Sequence, residues 1–362
     1  MKKNVPNCLI IVPSLTPDGP IKGAIALANG LSELGVNVSF VALKAGHGAN
    51  SFISPDIAVH DLAYSSSISL LKMRDKVLGI LTQLRSHSSE SVVVISMCFS
   101  ADLVNVLLPS YIKKVVSIRA DLKENYTMDY GFLGGLLASF HYWLLRFPDL
   151  VVAMNHEMKG LLGNYKCRRI VMIPNFLNEV DFKSNELCRS LGTGIKIAFV
   201  GSLTSRKKPL LLLETVHKLN QEGFDLSLFF IGDGPLKAEL SERVKQIGSD
   251  RIHLLGFQES PSEIVRNCNV MVLPSLSEGT PRAVMESLYV GTPCVIRNLS
   301  TNDNLIIDGV NGCLFDNDEE LGAAILRALS IAHGAGASDS LLDESFSQTI
   351  CSKKYLQAIE KL

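Results

Sequence analysis

One stretch of the 362-residue chain, Val270–Pro293, constrains its fold more than any other. It begins with the short apolar run Val270–Leu273, which predicts a strand, and continues through a polar loop that contains a glycine. Pro281 suits the first position of a helix because its missing N–H group costs nothing there, and Thr280 is expected to cap a helix over Arg282–Val290. The sequence therefore predicts helix N–H groups at the mouth of a sheet, a position that suits an anion such as a phosphate.

Two glutamates bracket the start of this predicted helix. Glu278 lies in the loop, and Glu286 follows in the second helical turn. A carboxylate beside a phosphate adds repulsion, unless it accepts hydrogen bonds from hydroxyl groups such as those of a sugar or a ribose. Two glutamates at this spacing are also common on ordinary helix faces, so the pair alone leaves both interpretations open.

Length and composition bound the class of protein. A chain of this length exceeds one typical core, so two domains are expected. No segment reaches the roughly 18–20 apolar residues of a membrane span, and the first residues lead into a strand rather than a signal peptide. The eight cysteines lack metal-ligand spacing, which favours reduced thiols in a cytoplasmic protein, and no histidine has an obvious catalytic partner.

The net charge of −1 is unevenly distributed along the chain. Residues 1–175 carry 17 basic and 12 acidic side chains, whereas the remaining residues carry 18 and 24. A basic amino-terminal half suits an anionic partner such as a lipid surface, and ordinary fluctuation explains the imbalance equally well. We expect no nucleic-acid partner.

Strand and helix patterns alternate along the rest of the chain. Two apolar runs, Cys8–Pro13 and Val36–Leu43, flank a helix predicted over Ala24–Leu34, which is the strand–helix–strand unit of a parallel sheet. The loop Ser14–Gly23 lacks the G-x-G-x-x-G pattern of dinucleotide sites. Further strands are predicted at Ser91–Ser96, Lys114–Ile118, Leu150–Met154, Ile170–Ile173, Ile195–Val200, Leu226–Ile231, Ile252–Leu254 and Cys294–Ile296.

These elements divide into two predicted α/β domains. The first covers residues 1–178 and the second residues 190–342, with a polar linker within Asn178–Thr193. A helix is predicted over Asp318–Ala332, and a terminal helix lies within residues 345–362.

The segment Phe132–Phe147 is apolar on all sides and is too short to span a bilayer. A buried helix is the favoured interpretation. The alternative is that part of the segment, including Tyr142 and Trp143, contacts a membrane or a lipid-carried molecule.

Several motifs, taken in their order along the chain, resemble those of a known protein family. Glu278 and Glu286, followed by Gly291-Thr292-Pro293, resemble the nucleotide-sugar site of the family-4 retaining glycosyltransferases, which carry an E-x7-E motif. Other landmarks resemble that family in its order, and they are Gly201-x4-Arg206-Lys207, Ile231–Pro235, Leu255–Phe257 and Asp308–Gly312. The resemblance covers residues 195–315 well and the amino-terminal half loosely. It implies the GT-B architecture, in which two Rossmann-like domains face a cleft and the terminal helix crosses back to the first domain.

The same resemblance implies roles for individual residues. Lys207 aligns with the family's diphosphate-binding lysine, and Arg206 would supply a second charge because Ser202 stands where the family often has an arginine. Glu278 would contact the transferred sugar and Glu286 the ribose hydroxyls, while Lys207, Arg206 and Glu278 would take part in catalysis. The expected donor-binding residues are Gly201, Ser202, Arg206, Lys207, Gly256, Phe257, Glu278, Gly279, Thr280, Pro281 and Glu286.

Two further predictions concern which residues face the acceptor and whether the site binds a metal. Gly19, Arg119 and Asp121 are expected on the acceptor side, with Arg119 near a position where many relatives have a histidine. The D-x-D pair of Asp316 and Asp318 starts a predicted helix, so helix capping explains it better than metal binding. We therefore expect no metal and no cofactor, with the leaving diphosphate neutralised by basic side chains and helix N–H groups.

The resemblance implies a retaining transferase for a hexosyl or N-acetylhexosaminyl group. The donor would be a nucleoside-diphosphate sugar, with UDP favoured, and the acceptor a saccharide or lipid-linked saccharide in surface polysaccharide synthesis (O-antigen, capsule or lipopolysaccharide). Such an enzyme would be cytoplasmic, at the inner face of the membrane. The alternatives are a sugar-nucleotide epimerase of the same fold and a non-catalytic sugar-binding protein.

Overall fold

The computed structural model of the chain describes residues 7–16, 19–46, 48–64, 69–86, 91–178, 182, 194–302, 305–331 and 340–362. The linker predicted within Asn178–Thr193 lies almost entirely outside these residues. The chain divides into two compact domains. The amino-terminal domain combines Met1–Asp181 with Glu344–Leu362, and the carboxy-terminal domain spans Phe182–Asp343.

The described part of the amino-terminal domain contains a sheet of seven parallel strands. They are β1 (Asn7–Val12), β2 (Val38–Lys44), β3 (Ala58–Tyr64), β4 (Val92–Met97), β5 (Lys113–Ser117), β6 (Leu150–Ala153) and β7 (Ile170–Met172). Their order across the sheet is β3-β2-β1-β4-β5-β6-β7. All six residues of β1 are buried, as are those of β4, because helices cover both faces of the sheet.

The helices of this domain are α1 (Gly19–Glu33), α2 (Leu70–Ser86), α3 (Phe99–Val106), α4 (Leu122–Tyr130), α5 (Phe132–Leu144), α6 (His156–Asn164) and α12 (Gln348–Ile359). The first helix begins at Gly19, so the predicted loop Ser14–Gly23 is too long. Pro20 is tolerated because the first helical turn needs no N–H donor, and the buried Ile21 draws that turn onto the core.

Helix α5 is buried on one face only, whereas the sequence predicted a buried helix over Phe132–Phe147. Its buried face includes Tyr142, which is 3% exposed, but its other face is open to solvent. Phe132 is 87% exposed and Leu136 is 60% exposed. The prediction is wrong because the helix packs on the domain along one side only, which an all-apolar sequence does not reveal. Among the described helices, none has the length and apolarity needed to cross a bilayer.

Helix α12 packs against α1 in the amino-terminal domain. The close approach depends on Gly30, since a Cβ there would lie 2.1 Å from the hydroxyl oxygen of Ser352. Gln348 donates a hydrogen bond to the carbonyl of Ala26 at 3.0 Å. Tyr355 is fully buried in the same contact.

The described part of the carboxy-terminal domain contains a sheet of six parallel strands. They are β8 (Ile195–Val200), β9 (Leu226–Ile231), β10 (Ile252–Gly256), β11 (Val270–Leu273), β12 (Cys294–Arg297) and β13 (Gly312–Phe315), in the order β10-β9-β8-β11-β12-β13. The helices are α7 (Pro209–Gln221), α8 (Lys237–Ile247), α9 (Pro261–Val265), α10 (Arg282–Tyr289) and α11 (Leu321–Ile331).

Both sheets have the strand order of a Rossmann fold. In each, the direction in which successive strands are added reverses at one point, between β1 and β4 in the first sheet and between β8 and β11 in the second. Open parallel sheets bind ligands beyond the carboxyl ends of the strands at such points. The loops that follow these four strands are therefore where sites are expected.

Candidate active site

Gly201 starts the loop that follows β8. Its φ angle is +148°, a region that residues with a side chain rarely adopt. A Cβ at this position would lie 3.0 Å from both Cδ and Nζ of Lys207, so the lysine side chain passes directly over the glycine. Gly201 therefore fixes the course of the Lys207 side chain as well as the turn.

The residues after Gly201 connect this loop with the loop that follows β11. A 3-10 turn spans Ser205–Lys207, and Pro209 then opens α7. The backbone N–H of Leu276 donates to the carbonyl of Arg206 at 2.9 Å, and the Arg206 guanidinium donates to the carbonyl of Ser277. These bonds hold the two loops together at the point where the strand order reverses.

Glu278 lies at the centre of a cluster of charged and polar groups. Its Oε1 lies 3.1 Å from Lys207 Nζ and 3.3 Å from Arg206 Nη1, and it accepts a hydrogen bond from the Ser275 hydroxyl at 2.8 Å. The Thr301 hydroxyl donates to the Glu278 carbonyl at 2.5 Å. The side chains of Lys207 and Glu278 are 12% and 13% exposed, so the pair is largely shielded from water.

The structure thus brings together Arg206, Lys207 and Glu278, the residues predicted for catalysis. Sequence reasoning missed Ser275 and Thr301, which hold Glu278 in place. Both are short hydroxyl residues near strand ends, a type common in any loop, so no sequence signal separates them from ordinary loop residues.

The cap of the helix after the second loop lies one residue later than predicted. Pro281 has an extended ψ of 110° and occupies the capping position, while Arg282 is the first helical residue. The carbonyl of Pro281 accepts from the backbone N–H groups of Val284 and Met285, which is the role of a capping residue. Thr280, predicted as the cap, is 8% exposed and immediately precedes this position.

Glu286 lies in α10 and is half of an ion pair. Its Oε1 lies 3.4 Å from Nη2 of Arg282, one helical turn earlier, and the two side chains are 17% and 16% exposed. The pair leaves the carboxylate oxygens capable of accepting further hydrogen bonds from a ligand.

The other predicted donor-binding residues lie on the loops of the same domain. Ser202 is exposed, and Gly279 is partly buried beside Glu278. Gly256 ends β10 with a φ of +68°, and its carbonyl accepts from the Gly232 backbone N–H at 2.8 Å. Phe257 is 75% exposed, so its ring is available to a planar ligand.

The D-x-D pair lies in an ion-pair network. Lys208 Nζ lies 2.5 Å from Oδ2 of Asp318, and Arg297 bonds to Oδ1. The hydrogen bond from Lys208 lowers the pKa of Asp318 from its ordinary value, with a smaller contribution from Arg297. Asp316 accepts a hydrogen bond from the Asn298 amide at 3.0 Å. Within the described residues, no group of three or more His, Cys, Asp or Glu side chains is arranged to hold a metal.

The residues predicted on the acceptor side lie in the amino-terminal domain. Gly19 is exposed at the start of α1. Asp121 caps α4, because its Oδ1 accepts from the backbone N–H of Glu124 at 2.8 Å. The Arg119 guanidinium donates to the Pro174 carbonyl at 3.1 Å and also bonds to the hydroxyl of Tyr355.

A cavity of about 360 Å³ lies at the carboxyl edge of the amino-terminal sheet. Pro13, Cys98 and Arg119 line it, and these residues follow β1, β4 and β5. Phe99 of α3, Tyr126 of α4, His141 of α5 and Lys44 at the end of β2 also line it. The cavity therefore lies at the reversal of strand order in this sheet, as the ligand sites of open sheets do.

Comparison with known proteins identifies the architecture. The structure of Anabaena HepE in complex with UDP and glucose superposes with a TM-score of 0.75, at 16% identity, over 98% of this chain and 100% of its own. The fold is the GT-B fold. Residues 194–330 also match the family described as glycosyl transferases group 1. The prediction of a GT-B fold is confirmed, while the narrower assignment to family 4 with its E-x7-E motif stays a prediction.

Two curated relatives show how far the sequence similarity extends. An uncharacterized glycosyltransferase of Methanocaldococcus jannaschii is 22% identical over 66% of this chain and 62% of its own length. The Escherichia coli UDP-Gal:alpha-D-GlcNAc-diphosphoundecaprenol alpha-1,3-galactosyltransferase is 31% identical over 32% of this chain and 31% of its own. The chain thus spans less than two thirds of the length of these relatives.

Proposed function

We propose that this GT-B protein is a glycosyltransferase that moves a hexosyl or N-acetylhexosaminyl group from a nucleoside-diphosphate sugar to a saccharide or lipid-linked saccharide. The observation that carries the proposal is the cluster of Arg206, Lys207 and Glu278, in which Lys207 and Glu278 are 3.1 Å apart. It lies where the strand order reverses, in the domain that matches the glycosyl transferases. Cations and a carboxylate side by side suit a ligand that is both a diphosphate and a sugar.

Each residue of the cluster has a distinct task in this proposal. Lys207 and Arg206 neutralise the diphosphate as it leaves, and each charge-assisted hydrogen bond contributes about 1.5–3 kcal/mol. Glu278 accepts hydrogen bonds from the transferred sugar, and Glu286 accepts them from the ribose. The acceptor hydroxyl attacks C1 of the sugar on the face that the diphosphate leaves, and its proton passes to the departing diphosphate oxygen. The bond from C1 to that oxygen breaks as the glycosidic bond forms, so the anomeric configuration is retained without a dedicated base.

The diphosphate is neutralised by the protein's own cations, without a resident metal. Asp318 supports this assignment because its carboxylate already pairs with Lys208 and Arg297, which reduces its affinity for a metal ion. The backbone N–H groups near Gly279 and at the start of α10 supply further positive charge.

The donor nucleotide is UDP, and the acceptor is a lipid-linked saccharide used in surface polysaccharide synthesis. HepE, which shares the fold, is described in complex with UDP and glucose. The Escherichia coli relative is named for a UDP-galactose donor and a GlcNAc-diphosphoundecaprenol acceptor. We assign the acceptor to the amino-terminal domain, near the cavity lined by Arg119.

The exposed face of α5 contacts the lipid surface that carries this acceptor, at the inner face of the cytoplasmic membrane. A run of aromatic rings leads from the cavity to that face. Phe99 lines the cavity, and its ring centroid lies 6.4 Å from that of Phe140. The next ring centroids in the run are 5.8 Å apart, from Phe140 to Trp143, and 5.0 Å apart, from Trp143 to Phe147. The last three are 44–45% exposed, and aromatic side chains favour the membrane–water interface.

Thermal unfolding with UDP, GDP, ADP and CDP tests the donor assignment, each in EDTA and in magnesium. Bound nucleotide raises the midpoint, by about 2.7 kcal/mol of stability at a hundred times its dissociation constant. We expect a shift with UDP in EDTA, lost in Lys207→Ala and kept in Lys218→Ala, whose lysine is 78% exposed on α7. A shift that requires magnesium would overturn the metal-free assignment, and an equal shift in Lys207→Ala would overturn the site.

Turnover assays distinguish the alternatives. A transferase consumes the UDP-sugar faster when a lipid-linked saccharide is present, and the sugar appears on that acceptor. An epimerase would convert the donor to an isomer without an acceptor, whereas a sugar-binding protein would leave the donor unchanged.

A further inference from the structure

A chain of hydrogen bonds runs beneath the cavity of the amino-terminal domain. The His141 imidazole lies 3.0 Å from Asp102 through Nε2 and 2.8 Å from the Tyr126 hydroxyl through Nδ1. Ser96 donates to the other carboxylate oxygen of Asp102 at 2.6 Å, and Asn105 donates to the Ser96 hydroxyl at 3.0 Å. Solvent reaches Tyr126, which is half-buried and lines the cavity, whereas the other four side chains are fully buried.

The direction of these hydrogen bonds follows from the chemistry of the groups. The Asp102 carboxyl accepts from the Ser96 hydroxyl through Oδ1 and bonds to His141 Nε2 through Oδ2. In the tautomer of His141 that donates from Nε2 to Asp102, Nδ1 is an acceptor and takes the proton of the Tyr126 hydroxyl. Burial raises the pKa of Tyr126, so the phenol keeps that proton. Its oxygen therefore has lone pairs left to offer to a ligand.

The packing of α4 and α5 holds this geometry. A Cβ on Gly134 would lie 1.9 Å from the Tyr126 carbonyl oxygen. The backbone of α5 can therefore approach the backbone of α4 closely only because position 134 has no side chain. The ring of His141 stacks on that of Tyr126, with centroids 6.0 Å apart, and the edge of Phe99 packs against both. The Tyr126 ring cannot turn its hydroxyl away without breaking this stack.

Folding stability alone does not explain why this series of buried hydrogen bonds is present. A buried carboxylate and imidazole contribute little more than apolar side chains of the same size would, since their desolvation offsets their attraction. A fixed hydrogen-bond direction at a cavity wall is something that apolar side chains cannot supply.

We propose that Tyr126 accepts a hydrogen bond from a hydroxyl group of the acceptor sugar, and that His141 and Asp102 act as positioning residues that fix the direction of this bond. The proposal rests on the proposed function and names a contact within it. The cavity suits a sugar ring, because aromatic walls pack on its apolar face while the Tyr126 oxygen selects a hydrogen-bond donor.

Two variants isolate the contact. Tyr126→Phe keeps the ring and its stack on His141 but removes the hydroxyl. His141→Gln keeps an N–H that can reach Asp102 but removes the basic Nδ1 acceptor. Tyr130→Phe is the matched control, because Tyr130 lies on the same helix and is 60% exposed. Circular dichroism and thermal unfolding establish that each variant is folded, and Tyr126→Phe still decides the question if His141→Gln unfolds.

The binding probe is the methyl α-glycoside of N-acetylglucosamine, with its 3-, 4- and 6-deoxy analogues, titrated by NMR without a donor. We expect Tyr126→Phe to weaken the parent glycoside about threefold to tenfold, as loss of one hydrogen bond does. One deoxy analogue should bind wild type as weakly as the variant binds the parent, and the variant should not distinguish that analogue from the parent. Tyr130→Phe should match wild type.

Two results would overturn the proposal: equal affinity of wild type and Tyr126→Phe for the parent, or no binding by wild type at millimolar glycoside. Transfer to a GlcNAc-diphospho-lipid is measured separately with the same variants. We expect Tyr126→Phe to raise the KM for this acceptor more than it lowers kcat, and Tyr130→Phe to match wild type in both. Wild-type binding that depends on Tyr126 without any transfer would refute the proposed function and leave the contact intact.

Discussion

The ammonium of Lys207 lies 3.1 Å from Oε1 of Glu278, so the cation assigned to the diphosphate is already paired with a carboxylate of the same site. A nucleotide must share Lys207 with Glu278 or displace it. The carboxylate thus opposes the diphosphate through its charge while it serves the sugar through its hydrogen bonds.

Glu278→Gln should therefore change nucleotide binding and transfer in opposite directions. Because the amide removes one negative charge beside Lys207, we expect UDP to bind more tightly, by about threefold to tenfold. Transfer should fall at least tenfold because the amide is a poorer acceptor for the sugar hydroxyls. Calorimetry with UDP and a transfer assay measure the two effects. Weaker UDP binding would show that Glu278 does not compete for Lys207.

Gly201→Ala should reduce UDP affinity by displacing Lys207. A Cβ at Gly201 would lie 3.0 Å from the lysine Nζ, and the φ of +148° adds strain of about 1–3 kcal/mol. Gly223→Ala is the matched control, since Gly223 has a φ of +99° with open space around it. Both variants should lose stability in urea unfolding, but we expect a lower UDP affinity in Gly201→Ala alone. If the two variants bind UDP with equal affinity, Gly201 serves only to avoid backbone strain and does not position Lys207.

Glu286→Ala should abolish discrimination between UDP and its 2′,3′-dideoxy analogue. If Glu286 accepts hydrogen bonds from the ribose, wild type should bind UDP more tightly than the analogue by about tenfold or more. The variant should bind both ligands equally. Arg282→Ala, which removes only the partner 3.4 Å away, should keep the discrimination. A Glu286→Ala variant that still prefers UDP would place the ribose elsewhere.

The fold was largely predictable because its central strands are buried on both faces. The strands β1 and β4 each have five apolar residues out of six and have every residue buried, so the sequence pattern and the structure coincide. The strand β3 escaped prediction because it lies at the sheet edge, where its residues are partly or fully exposed and carry no apolar pattern. The exposure of α5 escaped it too, since an apolar helix does not reveal which side packs.

The site divides in the same way. That Lys207 and Glu278 belong to one site could be anticipated, because each follows a strand and the motifs resemble a known set, but their ion pair was not predicted. No such signal marked His141, whose partner Asp102 lies 39 positions away on another helix. Contacts between side chains on separate helices depend on how the helices pack, which the periodicity of each helix does not reveal.

Asp318→Asn should cost stability at neutral pH but not at acid pH. Hydrogen bonding by Lys208 lowers the pKa of Asp318 below its ordinary value, so its contribution to stability is present above that value and is lost as pH falls through the folded pKa. Urea unfolding at pH 7 should show wild type to be more stable, and the difference should vanish toward pH 3. Asp250→Asn, an exposed position in the same domain, should show no such convergence.

Tyr355→Phe should destabilise the amino-terminal domain, because its hydroxyl joins α12 to the end of β5. Tyr355 is fully buried, and its oxygen lies 2.7 Å from the Ser117 hydroxyl and bonds to the Arg119 guanidinium. Without it, both groups lose a partner in the interior, which costs about 1–3 kcal/mol. Tyr111→Phe is the control, because it removes a hydroxyl group from a tyrosine that is 62% exposed. Urea unfolding should separate the two variants by that amount, whereas equal stability would mean that Arg119 and Ser117 find other partners.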